Sequence, residues 1–258
     1  MAKVRLDKHL TELYPELSRE RVLALIMSGN VLVGNDKQDK PGTMISSDAP
    51  IRLLKTDLLY VSRGGEKLAG AINAFGVNVS DRCCLDVGIS TGGFTDFLLK
   101  SGAKMVVGVD VGYGQLDYRL RQDPRVFLVE RTNARYLTPG ILKETLPKSM
   151  NVDTLINELN IVVMDVSFIS VSKVLPAIRA CVTKFTQYVI LIKPQFEAEK
   201  DQIGKGGIIK DPQIHDEILS SLKEKLSSLS FKVVNSCPSP ILGTKGNREF
   251  FFHLEDLS

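Results

Sequence analysis

The sequence predicts an α/β protein in which a mostly parallel sheet, covered by helices on both faces, follows a small N-terminal α+β unit. From residue 62 onward, short and nearly continuous apolar runs alternate with helical patterns, which is typical of parallel strands buried on both faces. Residues 1–58 instead combine two short amphipathic helices with short extended segments. We therefore predict domains at 1–58 and 62–258, joined by a linker at 59–61.

The first unit is predicted to contain two helices and a small sheet. Residues 3–14 place leucines on one helical face. Ser18 suits the N-cap of a second helix, and Gly29 suits the left-handed position that ends it. Extended segments over residues 31–33 and 51–54 complete the unit.

The second unit is predicted to have parallel strands separated by helices, the first helix lying at 94–100. At the end of the chain, two apolar segments have prolines and no helix between them. They predict an antiparallel pair that closes the sheet. The parallel strands are predicted at residues 83–87, 105–109, 126–129, 161–164 and 188–192, and the antiparallel pair at 231–234 and 249–252.

Composition indicates an ordinary globular protein, since the 258-residue chain is 43% hydrophobic and 24% charged. Its apolar runs are shorter than the roughly 20 residues that span a bilayer, and no secretory signal follows Met1, so we expect a cytoplasmic location. The four cysteines lack CxxC spacing, so no metal site is expected. The net charge is +3, and residues 1–58 hold nine Lys or Arg against eight Asp or Glu. Nucleic-acid binding must therefore be argued from motifs.

A glycine-containing loop after the first strand predicts a nucleoside-cofactor site. Glycines allow the backbone to approach a ligand closely, and the following helix offers free N–H groups. Ser90 replaces the second glycine of the nicotinamide motif, and an acid ends the strand, as in S-adenosylmethionine sites. A structural turn between a strand and a helix is the alternative. The predicted contacts are Asp86, Gly88, Ser90, Thr91, Gly92 and Gly93.

Two further strand ends extend this cofactor site. Asp110 ends the second strand, where an acid holds the ribose hydroxyls of an adenosine. Asn133 follows the third strand and is a candidate contact for the adenine amine. Together with the loop, these residues predict S-adenosylmethionine as the cofactor.

Four polar residues are candidate catalytic groups. Asp165 and Lys193 end strands at the ligand edge of the sheet, Lys67 precedes the first strand, and Glu249 begins the last. Partial desolvation and a neighbouring Lys67 favour a neutral amine at Lys193, whereas the two acids favour its charged form, and the residues alone leave that balance open. A neutral amine suits methylation of a ribose hydroxyl, which requires alignment and proton removal but no metal. Surface lysines in ordinary salt bridges are the alternative.

Motifs in a fixed order run along the whole chain, at residues 5–10, 18–26, 28–34, 61–68, 86–88, 193–197, 204–207 and 246–249. Through them the chain resembles the TlyA family, also called hemolysin A. The resemblance implies an alpha-L RNA-binding domain followed by an FtsJ-like, S-adenosylmethionine-dependent methyltransferase domain with a Rossmann-like sheet.

The resemblance also implies a Lys-Asp-Lys-Glu catalytic tetrad, which matches Lys67, Asp165, Lys193 and Glu249, with Lys193 as general base. It implies 2′-O-methylation of cytidine in ribosomal RNA within assembled subunits. The chain ends soon after Leu254, without the extra tail of members that modify both subunits. We therefore expect large-subunit 23S RNA to be the substrate.

Basic residues on or beside the two N-terminal helices are candidate phosphate contacts, although acids interleave with them, as on an ordinary solvated helix surface. These candidates are Arg5, Lys8, Arg19 and Arg21.

Three other functions stay open. An RNA-binding protein with a vestigial methyltransferase fold is disfavoured by the intact loop and the four polar residues. A haemolysin is disfavoured by the lack of an apolar span or a strongly amphipathic membrane helix. A small-molecule methyltransferase is disfavoured by the N-terminal unit.

Overall fold

The protein is described here by a computed structural model, over residues 3–15, 17, 19–54, 59–199, 202–204, 206–243 and 246–258, without the side chains of residues 20 and 21. The predicted cap at Ser18, the boundary residues 55–58 and Lys205 of the 204–207 motif lie outside the described residues.

The N-terminal unit contains two short helices packed on short antiparallel strands. Its core consists mainly of buried aliphatic side chains from both helices, such as Leu10 and Leu25. Strand β2 lies between β3 and β5, and β1 pairs with β4. The elements are β1 (Lys3–Arg5), α1 (Leu6–Leu13), α2 (Arg19–Met27), β2 (Val31–Val33), β3 (Asp36–Gln38), β4 (Met44–Ser46) and β5 (Ile51–Leu53).

The prediction of a helix from residue 3 was wrong by three residues. Lys3 pairs with Ser46 and Arg5 with Met44 in an antiparallel ladder, so the backbone of residues 3–5 forms strand hydrogen bonds and the helix begins at Leu6. A distant strand supplied partners that helical periodicity does not reveal. The predicted end of α2 is confirmed, because Gly29 has a φ of 69°, in the left-handed region.

The second unit alternates strands and helices up to its last two strands. The elements are α3 (Arg63–Phe75), β6 (Cys83–Val87), α4 (Gly93–Lys100), β7 (Met105–Val109), α5 (Tyr118–Arg121), β8 (Val126–Val129), α6 (Pro139–Thr145), α7 (Val152–Glu158), β9 (Leu159–Met164), α8 (Leu175–Arg179), β10 (Gln187–Ile192), α9 (Pro194–Glu197), α10 (Pro212–Ser228), β11 (Phe231–Pro238) and β12 (Phe250–Asp256). Single 3₁₀ turns lie at Ala134–Tyr136 and Val171–Lys173.

Among the described residues, seven strands form one sheet in the order β11-β12-β10-β9-β6-β7-β8. Strands β6 to β10 are mutually parallel, and β12 is antiparallel to both β10 and β11, so the predicted α/β class and antiparallel closing pair are confirmed. From β6 the chain first proceeds to β7 and β8 and then returns to β9 on the other side. The carboxyl ends of β6 and β9 therefore flank a topological switch point, where open α/β sheets bind ligands.

The two faces of this sheet bury separate cores. One contains Leu85, Val107 and Tyr188 beneath helices α6 to α8 and α10. The other contains Cys84 and Val106 beneath α3 and α4. Because both faces are covered, these strands are predominantly apolar, which is why their sequences lack a regular alternation of polar and apolar residues.

The predicted linker is held on the surface of α4. Asp96 on that helix accepts a hydrogen bond from the Val61 amide (2.7 Å), and it pairs with Lys100 (3.0 Å). Lys100 in turn donates to the Leu59 carbonyl (2.7 Å), and Tyr60 and Val61 are buried. Residues 59–61 are thus packed against the second unit.

Within the part of the chain that the structure describes, no helix has both the length and the apolar character that crossing a membrane requires.

Candidate active site

Three adjoining cavities line the carboxyl edge of the sheet. The loop cavity, of about 560 Å³, lies between the 88–93 loop and the N-terminal unit. The acid cavity, of about 450 Å³, adjoins Asp110. The aromatic cavity, of about 420 Å³, adjoins Lys193. The loop and acid cavities share Gly88, Ser90 and Asp165, so they meet at the switch point.

Gly88 allows the loops after β6 and β9 to touch. Its φ is +88°, and a Cβ atom there would lie 2.4 Å from the backbone oxygen of Asp165. The Asp165 amide also donates to the Val87 carbonyl (2.9 Å). A larger residue at position 88 would therefore separate two strand ends that both carry predicted site residues.

The predicted cofactor residues divide between the first two cavities. Thr91 and Gly93 line the loop cavity, whereas Asp110 and Asn133 line the acid cavity. Asp110 accepts hydrogen bonds from the Ser90 amide (2.8 Å) and the Gly112 amide (2.7 Å). Its carboxylate thus shapes the loop, and since a carboxylate has about four acceptor positions, it retains capacity for a ligand.

Asn133 also has a structural task. Its side-chain oxygen accepts from the Arg135 amide (3.0 Å) and so caps the 3₁₀ turn at Ala134–Tyr136. Its amide nitrogen makes no hydrogen bond with the described residues, which leaves it available at the acid cavity.

Two predicted cofactor residues do not line any of the three cavities. Gly92 faces the interior, where an added Cβ would lie 2.4 Å from Leu120 and 2.5 Å from Leu116. Asp86 is fully buried in β6 and accepts from the Thr95 hydroxyl (2.7 Å). Its other oxygen has no hydrogen-bond partner among the described residues. In this structure Asp86 therefore has no surface for direct contact with a ligand.

The four predicted catalytic residues form two ion pairs. Lys67 pairs with Glu249 (2.5 Å), and both are almost fully buried. Lys193 pairs with Asp165 and also donates to the Ser167 hydroxyl (2.9 Å). The sequence does not indicate this choice of partners, and Ser167 was not predicted.

Each ion pair spans two cavities. Lys67 and Asp165 line the loop cavity, whereas their partners Glu249 and Lys193 line the aromatic cavity. The two pairs therefore form the boundary between the loop cavity and the aromatic cavity. A reaction between ligands in the two cavities would take place at this boundary.

The aromatic cavity has two phenylalanines on one side. Phe168 is 89% exposed and packs against Phe196 with ring centroids 5.0 Å apart. The φ of Phe168 is +64°, which costs a non-glycine residue about 1–2 kcal/mol. Asn247 also lines this cavity, where it donates to the Gly207 carbonyl (2.9 Å) and accepts from the Ile209 amide (3.2 Å). An exposed ring held in a strained conformation beside a lysine is suited to stack on a planar ligand.

Glu197 holds the 165–171 loop against α9. It accepts from the Ser170 hydroxyl (2.5 Å) and the Val171 amide (2.9 Å), and burial raises the pKa of its carboxyl. It lies one helical turn beyond Lys193, which bonds the start of the same loop through Ser167. The loop is therefore fastened to α9 at both ends.

The predicted RNA-binding residues differ in how they are paired. Arg5 forms a bidentate ion pair with the buried Asp7 (3.0 and 2.8 Å), whereas Lys8 and Arg19 are exposed and form no ion pair with the described residues. The Arg21 side chain lies outside the described residues.

Sequence analysis missed several residues that line or support the cavities. For the missed residues that follow Asp165 or lie in the 193–197 motif, these positions were the available signals. For the N-terminal residues at the loop cavity there was no signal, because their position depends on how the units pack. The missed residues are Met27, Ser28, Lys40, Gln115, Thr132, Ser167, Phe168, Phe196 and Glu197.

Over the described ranges, no group of three or more His, Cys, Asp and Glu side chains is arranged to hold a metal ion.

Comparison with known proteins identifies the relatives of this chain. A family model described as FtsJ-like methyltransferase matches residues 60–256. The 16S/23S rRNA (cytidine-2′-O)-methyltransferase TlyA of Mycobacterium tuberculosis is 40% identical over 98% of this chain and 90% of its own length. Hemolysin A of Brachyspira hyodysenteriae is 41% identical over 97% and 99%. A solved structure described as a hemolysin, from Streptococcus thermophilus, has a TM-score of 0.73 and 39% identity over 99% of this chain and 89% of its own.

Buried Asp86 predicts a pH-dependent stability. Burial raises the pKa of its carboxyl from 3.8 to about 7, so between these values the folded protein holds a proton that the unfolded chain has released. The free energy of unfolding therefore falls as pH rises through this window. Asp86→Asn has no carboxyl at this position, so its stability lacks this dependence on pH. The difference in unfolding free energy, variant minus parent, should therefore increase between about pH 4 and about pH 7 when it is measured by urea titration.

The control is Asp123→Asn, since Arg125 holds the pKa of that partly exposed carboxyl below its ordinary value. Its stability difference from the parent should stay constant above about pH 5. A constant difference for Asp86→Asn across the whole window would contradict the prediction.

Proposed function

The chain belongs to the FtsJ-like methyltransferase family, whose methyl donor is S-adenosylmethionine, and we propose that it methylates the 2′-hydroxyl of cytidine in ribosomal RNA. This proposal rests on one observation, which is that two ion pairs, Lys67–Glu249 and Lys193–Asp165, lie at the boundary of the loop and aromatic cavities. With ribosomal subunits as substrate, the place of action is the cytoplasm. The choice of 23S RNA stays a prediction, and assays that use large and small ribosomal subunits as substrates test it.

The loop and acid cavities fit S-adenosylmethionine. They meet at Gly88 and Ser90, so an elongated ligand can occupy both. Asp110 offers acceptor positions for two ribose hydroxyls, and the backbone before α4 offers N–H groups for the methionine carboxylate. The unpaired oxygen of buried Asp86 lies beneath the loop, and the ligand's positively charged ammonium and sulfonium would favour the ionised form of this carboxyl. When bound, the cofactor supplies a methyl group on positively charged sulfur.

The aromatic cavity fits the target nucleoside. Phe168 and Phe196 offer a stacking surface for a base that has left its helix, and stacking of this kind is how single-stranded RNA bases are held. A base on these rings brings its ribose towards Lys193, which lines the same cavity. We assign Phe168 to this role because its strained backbone holds the exposed ring at the cavity.

Lys193 is the proposed general base. Its amine forms an ion pair with Asp165 and donates a hydrogen bond to the Ser167 hydroxyl, which leaves a hydrogen-bonding position for the ribose hydroxyl. In neutral form it would take the 2′-proton while that oxygen replaces sulfur on the methyl carbon, so that the sulfonium would leave as a neutral thioether. Asp165 then stabilises the resulting ammonium. The Lys67–Glu249 pair forms the other part of the boundary between the loop and aromatic cavities.

The N-terminal residues 1–58 are proposed to be an alpha-L RNA-binding domain. The exposed positive charges of Lys8 and Arg19, which are not neutralised by acids among the described residues, support phosphate contacts. Arg5 is a weaker candidate than the sequence indicated, since Asp7 already binds its guanidinium group.

The first prediction from the proposed function concerns Lys193. We expect tritium from labelled S-adenosylmethionine to enter ribose of large-subunit RNA, and Lys193→Ala and Lys193→Arg each to lower kcat about 100- to 10,000-fold. Arginine keeps the positive charge beside Asp165 but does not give up its proton, so it separates proton transfer from ion pairing. Small subunits are assayed in parallel.

In that experiment, the exposed Lys184→Ala is the control and should retain parental activity. Cofactor binding by calorimetry shows that the variants are folded. Label on a base, or undiminished activity in Lys193→Arg, would refute the mechanism, and no transfer by the parent would favour a vestigial enzyme.

The second prediction concerns Glu197. We expect Glu197→Ala to lower kcat about 10- to 100-fold, because the loop that carries Asp165 and Ser167 loses its second attachment, and to change KM for the cofactor less, because Asp110 and the 88–93 loop stay in place. Glu197→Gln keeps an oxygen for the Val171 amide and should partly restore kcat. The exposed Glu199→Ala serves as control. If Glu197→Ala and Glu197→Gln lose kcat to the same extent and also lose thermal stability to the same extent, a positioning role is contradicted.

The third prediction concerns the N-terminal unit. Lys8→Ala and Arg19→Ala should each weaken binding to ribosomal subunits and lower the slope of log Kd against log salt by about 1. Cofactor affinity should not change. Lys104→Ala removes a lysine paired with Glu158 and should leave both quantities unaltered. Unchanged salt slopes for both N-terminal variants would exclude these phosphate contacts.

A further inference from the structure

Two loops beside the acid cavity carry an exposed surface of arginine and tyrosine that has no part in the proposed chemistry. Tyr113, in the loop after β7, and Tyr136, in the loop after β8, are 65% and 63% exposed. The Arg131 guanidinium lies 4.2 Å from the centre of the Tyr113 ring, and that of Arg135 lies 5.6 Å from the Tyr136 ring. We call Tyr113, Arg131, Arg135 and Tyr136 the Arg–Tyr surface.

The arginines of this surface differ from those just before them in the chain. Arg119, Arg121 and Arg125 each form an ion pair with a carboxylate, to Asp117, Glu130 and Asp123 respectively. Arg131 and Arg135 form none with the described residues and stack on tyrosine rings instead. The carboxylates that pair with those three arginines are therefore engaged, and Arg131 and Arg135 keep their positive charge without an ion pair to the described residues.

The surface is held in place by the loops that build the acid cavity. The Arg131 amide donates to the Gly112 carbonyl (3.0 Å), which joins the two loops. Arg131 has a φ of +54°, a strained conformation for an arginine. Its neighbour Thr132 lines the acid cavity, as does Asp110. The Arg–Tyr surface thus lies immediately outside the cofactor site.

We propose that the Arg–Tyr surface is a second RNA contact, which binds nucleotides of the substrate that flank the target base. Exposed tyrosines stack on unpaired bases, and arginines that no acid neutralises bind phosphates. The N-terminal unit borders the loop cavity, whereas the Arg–Tyr surface borders the acid cavity. RNA that spans both surfaces crosses the cavities between them. This inference rests on the proposed RNA methyltransferase function.

A matched control exists at the opposite edge of the sheet. Lys184 and Phe185 precede β10, so they lie at the amino edge, and they form a similar exposed pair with 5.3 Å between the amine and the ring centre. Removing this pair changes charge and aromatic area in the same way but far from the cavities.

The test uses the full-length protein with S-adenosylmethionine bound, and measures Kd for purified large ribosomal subunits and for protein-free ribosomal RNA at several salt concentrations. Tyr113→Ala and Tyr136→Ala should each raise Kd about fivefold or more for both probes. Arg135→Ala and Arg131→Asn, in which asparagine tolerates the left-handed backbone, should each reduce the salt slope by about 0.7–0.9. Lys184→Ala and Phe185→Ala should match the parent, and cofactor Kd should be unchanged throughout.

If all four variants bind RNA as tightly as the parent does, the inference is overturned. The proposed function is not affected by that result, because the parent still binds its substrate. An equal loss in the Lys184 and Phe185 controls would also overturn it. A loss with subunits but none with protein-free RNA would show that a ribosomal protein occupies the surface, which contradicts RNA as the partner. A parent that neither binds nor methylates ribosomal RNA would overturn the proposed function itself.

Discussion

The pairing of two lysines with two carboxylates across a shared boundary is the constraint on which the rest of the site depends. Lys67 with Glu249 and Lys193 with Asp165 each join one cavity to the other. Breaking the buried Lys67–Glu249 pair would leave an uncompensated charge, which costs several kcal/mol, so this pair holds α3 against the start of β12, while the partly exposed Lys193–Asp165 pair joins α9 to the end of β9. Helix α3, the end of β9, the start of α9 and the start of β12 meet there.

The sheet topology makes this meeting possible. Because the chain reverses its direction of strand addition after β8, the loops following β6 and β9 diverge and leave a cleft between them. The close contact of Gly88 with the Asp165 carbonyl then narrows the base of that cleft. Strain is concentrated at the same edge, since Ser90, Arg131 and Phe168 all have positive φ there. Such strain persists only where packing overdetermines the conformation, as it does in these loops.

Much of the fold was predictable because its signals are local. Parallel strands buried on both faces are apolar throughout, so β6 to β10 were located to within two residues at either end. Asp110, Asp165 and Lys193 follow such strands directly, and their shared edge follows from the topology. Local signals failed for Lys3–Arg5, where pairing with β4 replaced a helical turn, and for Asp86 and Gly92, whose sequence motif did not reveal that they face the interior.

The sequence by itself determined the order of elements, the apolar faces and the residue types at each strand end, because these depend on neighbours within a few positions. Only the tertiary structure decided that Lys67 pairs with Glu249, 182 positions away, and that Glu197 fastens the loop beside Lys193. It also decided that the N-terminal unit borders the loop cavity and that Arg131 and Arg135 form no ion pair with the described residues and lie against tyrosine rings. Such pairings depend on which surfaces pack together in space, and periodicity along the chain carries no information about that.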